Sequence, residues 1–79
     1  MRWCEVVFHG KDGQQHSQLV EAASKLDAAA KGRDSVARLS WYNPGAVLLV
    51  RPLGPTVEYR VTPAELHAWE KRKRNGSQA

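Results

Sequence analysis

The sequence predicts one small α+β domain over residues 1–74, in which two helices pack against an antiparallel sheet of about four strands. The 79 residues allow a single domain, and 42% of them are hydrophobic, as in ordinary folded proteins. Several short segments are rich in β-branched and aromatic residues, which favours strands. A segment near the C-terminus carries the start signals of a helix. Residues 75–79 are predicted to form a frayed tail.

Residues 2–9 are predicted to form the first strand, because β-branched and aromatic residues lead up to a stop at Gly10. Side chains alternate between the two faces of a strand. The predicted core face carries Cys4, Val6 and Phe8. Trp3 falls on the opposite face, where it either packs beneath a helix or serves as an interface anchor for a partner protein.

The next segment contains leucines and alanines at helical spacing. The preferred prediction is therefore one internal helix over about residues 17–31. Ser17 would be its N-cap, and Gly32 would be the residue that follows its C-terminal end.

A second interpretation of this segment begins at Ser24-Lys25-Leu26-Asp27, which resembles a capping box. In this alternative the helix starts there and is short. Residues 14–23 then form a second strand, which pairs with the first through the Asp12-Gly13 turn. Both interpretations lead to the same α+β class.

A hairpin is predicted in the middle of the chain. One arm, residues 37–42, alternates between apolar and polar side chains, and the other, residues 46–51, is densely apolar. Between them, Asn43-Pro44-Gly45-Ala46 fits a type II turn, in which proline has a fixed φ and glycine takes a positive one. With a two-residue loop, Arg38 pairs directly with Arg51.

The last two predicted elements are a strand over residues 56–61 and a helix over about residues 63–74. The side chains of the strand that are predicted to point inward are Val57, Tyr59 and Val61. The helix begins with Thr62-Pro63-Ala64-Glu65, which offers an N-cap, a proline at the first helical position and the glutamate of a capping box. Leu66 and Trp69 would anchor this helix to the sheet.

The positive charge of the chain is concentrated near its C-terminus. Residues 1–70 contain eight Lys or Arg and eight Asp or Glu, so the formal net charge of +4 comes from the four residues that follow. These four residues, here named the basic end, are Lys71, Arg72, Lys73 and Arg74. They favour binding to nucleic acid or to an acidic partner. Alternatively, they only stabilise the end of the helix, with Glu70 and Arg74 as a surface pair.

A second cationic cluster is predicted on the sheet. Arg38 and Arg51 face each other in the predicted hairpin, with Tyr42 beside them and Arg60 one strand away. Like charges directly opposite destabilise a strand pair, so a phosphate or an acidic partner would offset them, and the aromatic ring would stack on a base. Alternatively, Glu58 offsets the two arginines, or the register of the strands differs.

No motif indicates metal binding or catalysis. The histidines and Cys4 lack the spacing of a metal site, although the strand alternative would let His9 and His16 face each other across the turn. Cys4 lies on the core face, where cysteine is usually a small buried hydrophobe. No glycine-rich phosphate loop or nucleophile elbow is present in the sequence. We therefore expect no enzyme activity, no metal and no cofactor.

The composition also bears on the compartment. A single cysteine rules out an internal disulfide, and no apolar run is long enough for a membrane span or an export signal. We expect a cytoplasmic protein without a membrane partner.

Two function classes follow. The first hypothesis is a small non-enzymatic binding protein that engages nucleic acid or a nucleoprotein complex through the basic end, with the sheet arginines as a second contact. The second is an inhibitor or adaptor that docks on a protein through an aromatic anchor such as Trp3. In both, an edge strand of so small a sheet leaves a homodimer open.

The second hypothesis is supported by a resemblance. The run from Val20 to Asp27, about a tenth of the chain, resembles the strand-into-capped-helix pattern of a small phage-encoded inhibitor of bacterial defence, an anti-CRISPR protein. The layout is also similar, since such inhibitors are often single α+β domains of this length without a catalytic motif. The resemblance implies an inhibitor that docks on a protein. The neutral balance of residues 1–70 disfavours a DNA mimic.

Overall fold

The computed structural model describes residues 2–54 and 56–76, and for residues 74–76 it describes the backbone alone. The elements in chain order are β1 (Arg2–His9), β2 (Gln15–Ala22), α1 (Lys25–Val36), β3 (Leu48–Pro52), β4 (Tyr59–Val61) and α2 (Pro63–Gly76). The strands form one antiparallel sheet in the order β2-β1-β3-β4. The predicted α+β class, with about four strands and two helices, is confirmed.

The segment between β1 and α1 follows the second interpretation, and the preferred long helix over residues 17–31 is wrong. β2 pairs with β1 along its whole length, from His9 opposite Gln15 to Arg2 opposite Ala22. The N–H of Asp27 donates to Ser24 Oγ at 3.1 Å, which makes Ser24 rather than Ser17 the N-cap of α1. Pairing with β1 therefore outweighs the helical spacing of the apolar residues in the first half of the predicted helix, which forms part of β2.

Gly32 lies inside α1 rather than beyond its end. A Cβ atom at this position would stand 2.9 Å from Val6 Cβ, closer than real side chains approach. The glycine therefore lets α1 come close to the centre of the sheet. α1 ends four residues later, at Val36.

The predicted hairpin over residues 37–51 is wrong, because residues 37–47 form no strand. β3 already has β1 and β4 as its two neighbours, so no side remains for another strand. The segment is held instead by the N–H of Lys11, which donates to the Trp41 carbonyl at 2.7 Å. A turn does form, with the N–H of Ala46 donating to the Asn43 carbonyl, but Gly45 does not take the positive φ of a type II turn.

The two faces of the sheet differ. The inner face carries Cys4, Val6 and Phe8, as predicted, and these pack with α1 and with Leu66 of α2 in one buried cluster. Trp69 also packs against this cluster, so both predicted anchors of α2 are confirmed.

The C-terminal part departs from the prediction in three details. β4 is shorter than residues 56–61. Val57 and Tyr59, which are predicted to point inward, are exposed, although Tyr59 does lie on the inner face, opposite Val50. Tyr59 lines an open groove of about 510 Å³ at the start of α1, where Lys25 Nζ lies 5.2 Å from the centre of its ring. α2 continues through Gly76, into the predicted frayed tail, and residues 77–79 of that tail lie outside the described residues.

Candidate functional site

The outer face of the sheet is the side opposite the buried cluster. On β1 it carries the alternate residues that begin with Trp3 and end with His9. The registers place Leu19 of β2 and Arg51 of β3 on either side of Glu5, and Arg60 of β4 beyond Leu49. Both described helices contribute to the buried cluster on the inner side. On the outer face Val7 is buried, whereas Trp3, Leu19 and Leu53 stay exposed.

An apolar patch occupies this outer face. Its members are Trp3, Leu19, Leu49 and Leu53. The side chains of Trp3, Leu19 and Leu53 are 50%, 56% and 57% exposed. Leu53 extends the pairing of β3, since its N–H donates to the Trp3 carbonyl at 3.0 Å. Trp3, one of the residues selected from the sequence, therefore lies on an open surface and not beneath a helix.

The predicted pair of Arg38 and Arg51 does not exist. Arg51 lies opposite Glu5 in the β1–β3 register, and Arg38 lies in the irregular segment after α1. Arg51 Nε donates to Glu58 Oε2 at 2.6 Å, and Arg51 Nη1 is 3.6 Å from Glu5 Oε1. The hydrogen bond with Glu58 is also the main cause of the raised pKa of Arg51. Glu58 thus offsets this arginine, as the alternative interpretation supposed.

Arg60 and Tyr42, the other two members of the predicted cluster, lie on different sides of the sheet. Arg60 is exposed on the outer face opposite Leu49 and makes no ion pair with another described residue. Tyr42 is half-buried on the inner side, where its ring meets Phe8 edge-on with the ring centres 6.3 Å apart. Burial raises the pKa of Tyr42. No common nucleic-acid surface is formed by the four residues.

The basic end lies along the last turns of α2. Lys71, Arg72 and Lys73 are exposed, and the side chain of Arg74 lies outside the described residues. Lys73 Nζ is 4.9 Å from the centre of the Trp69 ring, close enough for a cation–π contact. Lys71 and Arg72 make no ion pair with the described residues.

Glu70, which precedes the basic end, is bound to α1. Arg33 Nη1 and Nη2 donate to its two carboxylate oxygens at 2.6 and 2.7 Å. The hydrogen bond with Glu70 is the main cause of the raised pKa of Arg33. This two-pronged contact fixes α2 against α1 and positions the turns that follow.

The residues considered for metal or nucleophilic chemistry do not converge. Cys4 is buried in the core cluster. His9 and His16 lie on opposite faces, because His9 pairs with Gln15 and His16 with Phe8. His16 stacks on Trp41 with the ring centres 3.8 Å apart. Within residues 2–54 and 56–76, no three metal-ligating side chains come together.

Sequence reasoning missed the three leucines of the apolar patch. The predicted helix puts Leu19 in its apolar stripe, the predicted hairpin puts Leu49 in its second arm, and Leu53 lies in the connection between two predicted strands. The strand alternative by itself would not have found Leu19. A register that pairs His9 with His16 puts Leu19 opposite Val6, on the inner face, whereas the observed register is shifted by one residue and puts Leu19 opposite Glu5, on the face of Trp3.

Comparison with protein-family models, with curated protein sequences and with solved structures finds nothing that matches this chain significantly. None of the described helices is both long enough and apolar enough to cross a membrane.

Proposed function

We propose that this chain is a non-enzymatic binding protein that docks on a partner protein through the outer face of its sheet. The observation that carries the proposal is the apolar patch, in which a tryptophan and three leucines share the outer face and three of these four side chains are at least half exposed. Large apolar side chains that stay exposed on one surface are typical of interaction sites. An inhibitor or adaptor is a protein of this kind, since it acts by occupying a surface and not by turnover.

The electrostatics of the outer face favour a protein over a nucleic acid. The face carries two arginines, Arg51 and Arg60, and three glutamates, Glu5, Glu21 and Glu58. Arg51 is held by two of these acids, so no excess of cations remains to bind phosphates.

The same arrangement defines the chemistry of the partner. Tryptophan and arginine are the residue types that most often dominate the binding energy of protein interfaces. Trp3 provides the aromatic anchor, and Arg60, exposed beside Leu49, provides a cation. The partner surface therefore has an apolar centre that receives Trp3 and a carboxylate that reaches Arg60.

Site-specific photocrosslinking tests this proposal. A photoreactive amino acid replaces Leu53 in the outer face, and a matched variant carries it at Ala68, which is exposed on α2. We expect a nuclease-resistant protein adduct from the Leu53 position and none from Ala68. The adduct should disappear when Trp3→Ser is added, weaken with Arg60→Glu and persist when the basic end is changed to glutamine.

Two results would overturn docking through the outer face. One is an adduct that forms equally from Ala68. The other is an adduct at Leu53 that survives Trp3→Ser, because binding would then not depend on the apolar patch.

A second candidate is nucleic-acid binding through the basic end, favoured by Lys71 and Arg72, which are exposed and make no ion pair with the described residues. Four phosphate contacts would give a log–log salt slope of roughly −3.6 and a loss of affinity of about a hundredfold between about 50 and 200 mM salt. The test is a titration of duplex and single-stranded nucleic acid, with all four residues of the basic end changed to glutamine as the comparison. Absence of binding at about 50 mM salt rules this candidate out.

A further inference from the structure

β2 is a long, uncovered edge of the sheet. It has eight residues and pairs with β1 without a bulge, whereas β4, at the opposite edge, has three. Proteins usually protect an edge by a short strand, a proline, a lysine or a bulge. β2 has none of these features.

The backbone groups that β2 leaves unpaired can be assigned from its register. The N–H of Gly10 donates to the Gln14 carbonyl, so even-numbered residues of β2 exchange hydrogen bonds with β1. The N–H and carbonyl groups of Gln15, Ser17, Leu19 and Glu21 therefore point away from the sheet. The carbonyl of Glu21 accepts a hydrogen bond from Lys31 Nζ at 2.8 Å.

We propose that β2 pairs with β2 of a second copy of this chain, antiparallel and centred on Gln18. In this register Ser17 lies opposite Leu19 of the second copy, and Gln15 lies opposite its Glu21. An antiparallel pair of identical strands has the two-fold symmetry of the commonest protein dimers. The four-stranded sheets then join into one sheet of eight strands.

The strand is complementary to itself. In this register the positions of residues 15–21 lie symmetrically about Gln18, so that each outward-pointing backbone group of one copy meets one from the second copy. The one acid of the strand, Glu21, lies opposite a neutral glutamine, and no like charges meet across the pair. About six new hydrogen bonds form even if Lys31 keeps the Glu21 carbonyl.

The outer face gives a second reason for a second copy. Leu19 lies on that face at the free edge and is more than half exposed. In the symmetric register the two Leu19 side chains are diagonal neighbours on the same face, about 7–8 Å apart between Cα atoms. The two apolar patches therefore become one continuous surface.

The contact area of one edge is small, so the dimer forms with increasing concentration and does not persist at high dilution. Sedimentation equilibrium over about 1 µM to 1 mM tests it. We expect the average mass to rise toward twice that of one chain. Ser17→Pro removes an N–H that faces away from β1, and proline is tolerated at an edge, so the fold should persist while the dimer dissociation constant rises by about tenfold or more.

Ser17→Ala is the matched control, since it keeps the N–H and should dimerise like the original chain. If Ser17→Pro does not fold, as judged by circular dichroism, Leu19→Lys places a protective lysine at the same edge and should also keep the chain monomeric. A chain that is monomeric throughout the concentration range overturns the proposal. So does a dimer that survives both variants.

The edge pairing is independent of the docking function proposed above. Trp3→Ala should leave the dimer intact, because Trp3 lies one strand away from the free edge. A dimer lost with Trp3→Ala and kept with Ser17→Pro would instead place the second copy on the outer face. A partner adduct at Leu53 that persists in the Ser17→Pro monomer would support docking whatever the outcome for the edge.

Discussion

The two faces of β1 differ in how far their aromatic side chains are buried. Phe8, on the inner face of β1, is 2% exposed and contacts Trp41 and Tyr42, whereas Trp3, on the outer face, is 50% exposed. α1 closes over the inner face so tightly that its Gly32 touches Val6. The outer face buries Val7 but leaves Trp3, Leu19 and Leu53 at least half exposed. The difference separates the residues that stabilise the fold from those that are available for a partner.

The largest loss of stability is expected from a substitution of Phe8, on the inner face. Phe8→Ala removes the largest fully buried side chain, and such changes cost about 3–5 kcal/mol of unfolding free energy. A small domain has about 5–15 kcal/mol in all, so the variant should be close to unfolding. Urea denaturation followed by circular dichroism measures the loss. A cost below about 1 kcal/mol would show that the inner face is not the core.

The close approach of α1 to the sheet is tested by Gly32→Ala. Alanine adds about 1 kcal/mol of helix propensity, but its Cβ would meet Val6 Cβ, which cannot swing away, and overpacking costs about 1–3 kcal/mol. We expect a net loss of up to about 2 kcal/mol of unfolding free energy, measured by thermal or urea unfolding. Gly45→Ala is the control, because its nearest neighbour, Asn43 Oδ1, is 3.6 Å from the new Cβ. Equal effects of the two variants would contradict the tight contact.

A carboxylate at the start of α1 is expected to make the stability of the fold depend on pH. The Ala23 N–H donates to Asp27 Oδ2 at 3.0 Å, and this hydrogen bond is the main reason that the pKa of Asp27 lies below its ordinary value of 3.8. A lowered pKa contributes stability that is present above pH 3.8 and is lost as the pH falls through the value in the folded state.

Asp27→Asn should therefore lower stability at neutral pH by about 1 kcal/mol and flatten the acid limb of the stability–pH curve. Urea unfolding from pH 2 to pH 7 measures both effects. Asp34→Asn, a change at an exposed carboxylate of the same helix, is the control and should keep the acid limb steep. A curve for Asp27→Asn that matches the control would exclude this capping contact as a source of acid sensitivity.

A much smaller effect on stability than at Phe8 is expected at Trp3. Trp3→Ala should lower the unfolding free energy by about 1 kcal/mol, because only half of the side chain is removed from water. The same variant should strongly reduce the fraction of fluorescence quenched by acrylamide, since Trp41 and Trp69 are partly buried. A loss of stability comparable to that of Phe8→Ala would mean that the outer face belongs to the core.

Local signals predicted much of this fold and less of its candidate site. The core face of β1 and the start of α2 followed from alternation and from a capping box, and the Thr62 Oγ1 that accepts from the Glu65 N–H at 3.1 Å confirms that cap. Among the candidate site residues, the exposure of Trp3 and of the described basic end agrees with the roles considered for them. Neither exposure identifies a partner.

The errors arose where two local signals competed. The helical spacing that includes Leu19 was as regular as the strand that forms there, and only pairing with β1 decides between them. The alternation of residues 37–42 was also genuine, but β3, which contains most of their predicted partner arm, already has β1 and β4 as its two neighbours. The predicted contact of Arg38 with Arg51 was lost with that hairpin.

Local patterns along the chain suffice to predict β1, α2 and the concentration of charge in the basic end, because alternation, capping and composition act within a few residues. The order of the strands follows from tertiary contacts, and with it the contact of Arg51 with Glu58, the close approach of Gly32 to Val6 and the open face that Trp3 shares with three leucines. Strand order depends on contacts between residues far apart in the chain, which local patterns do not contain.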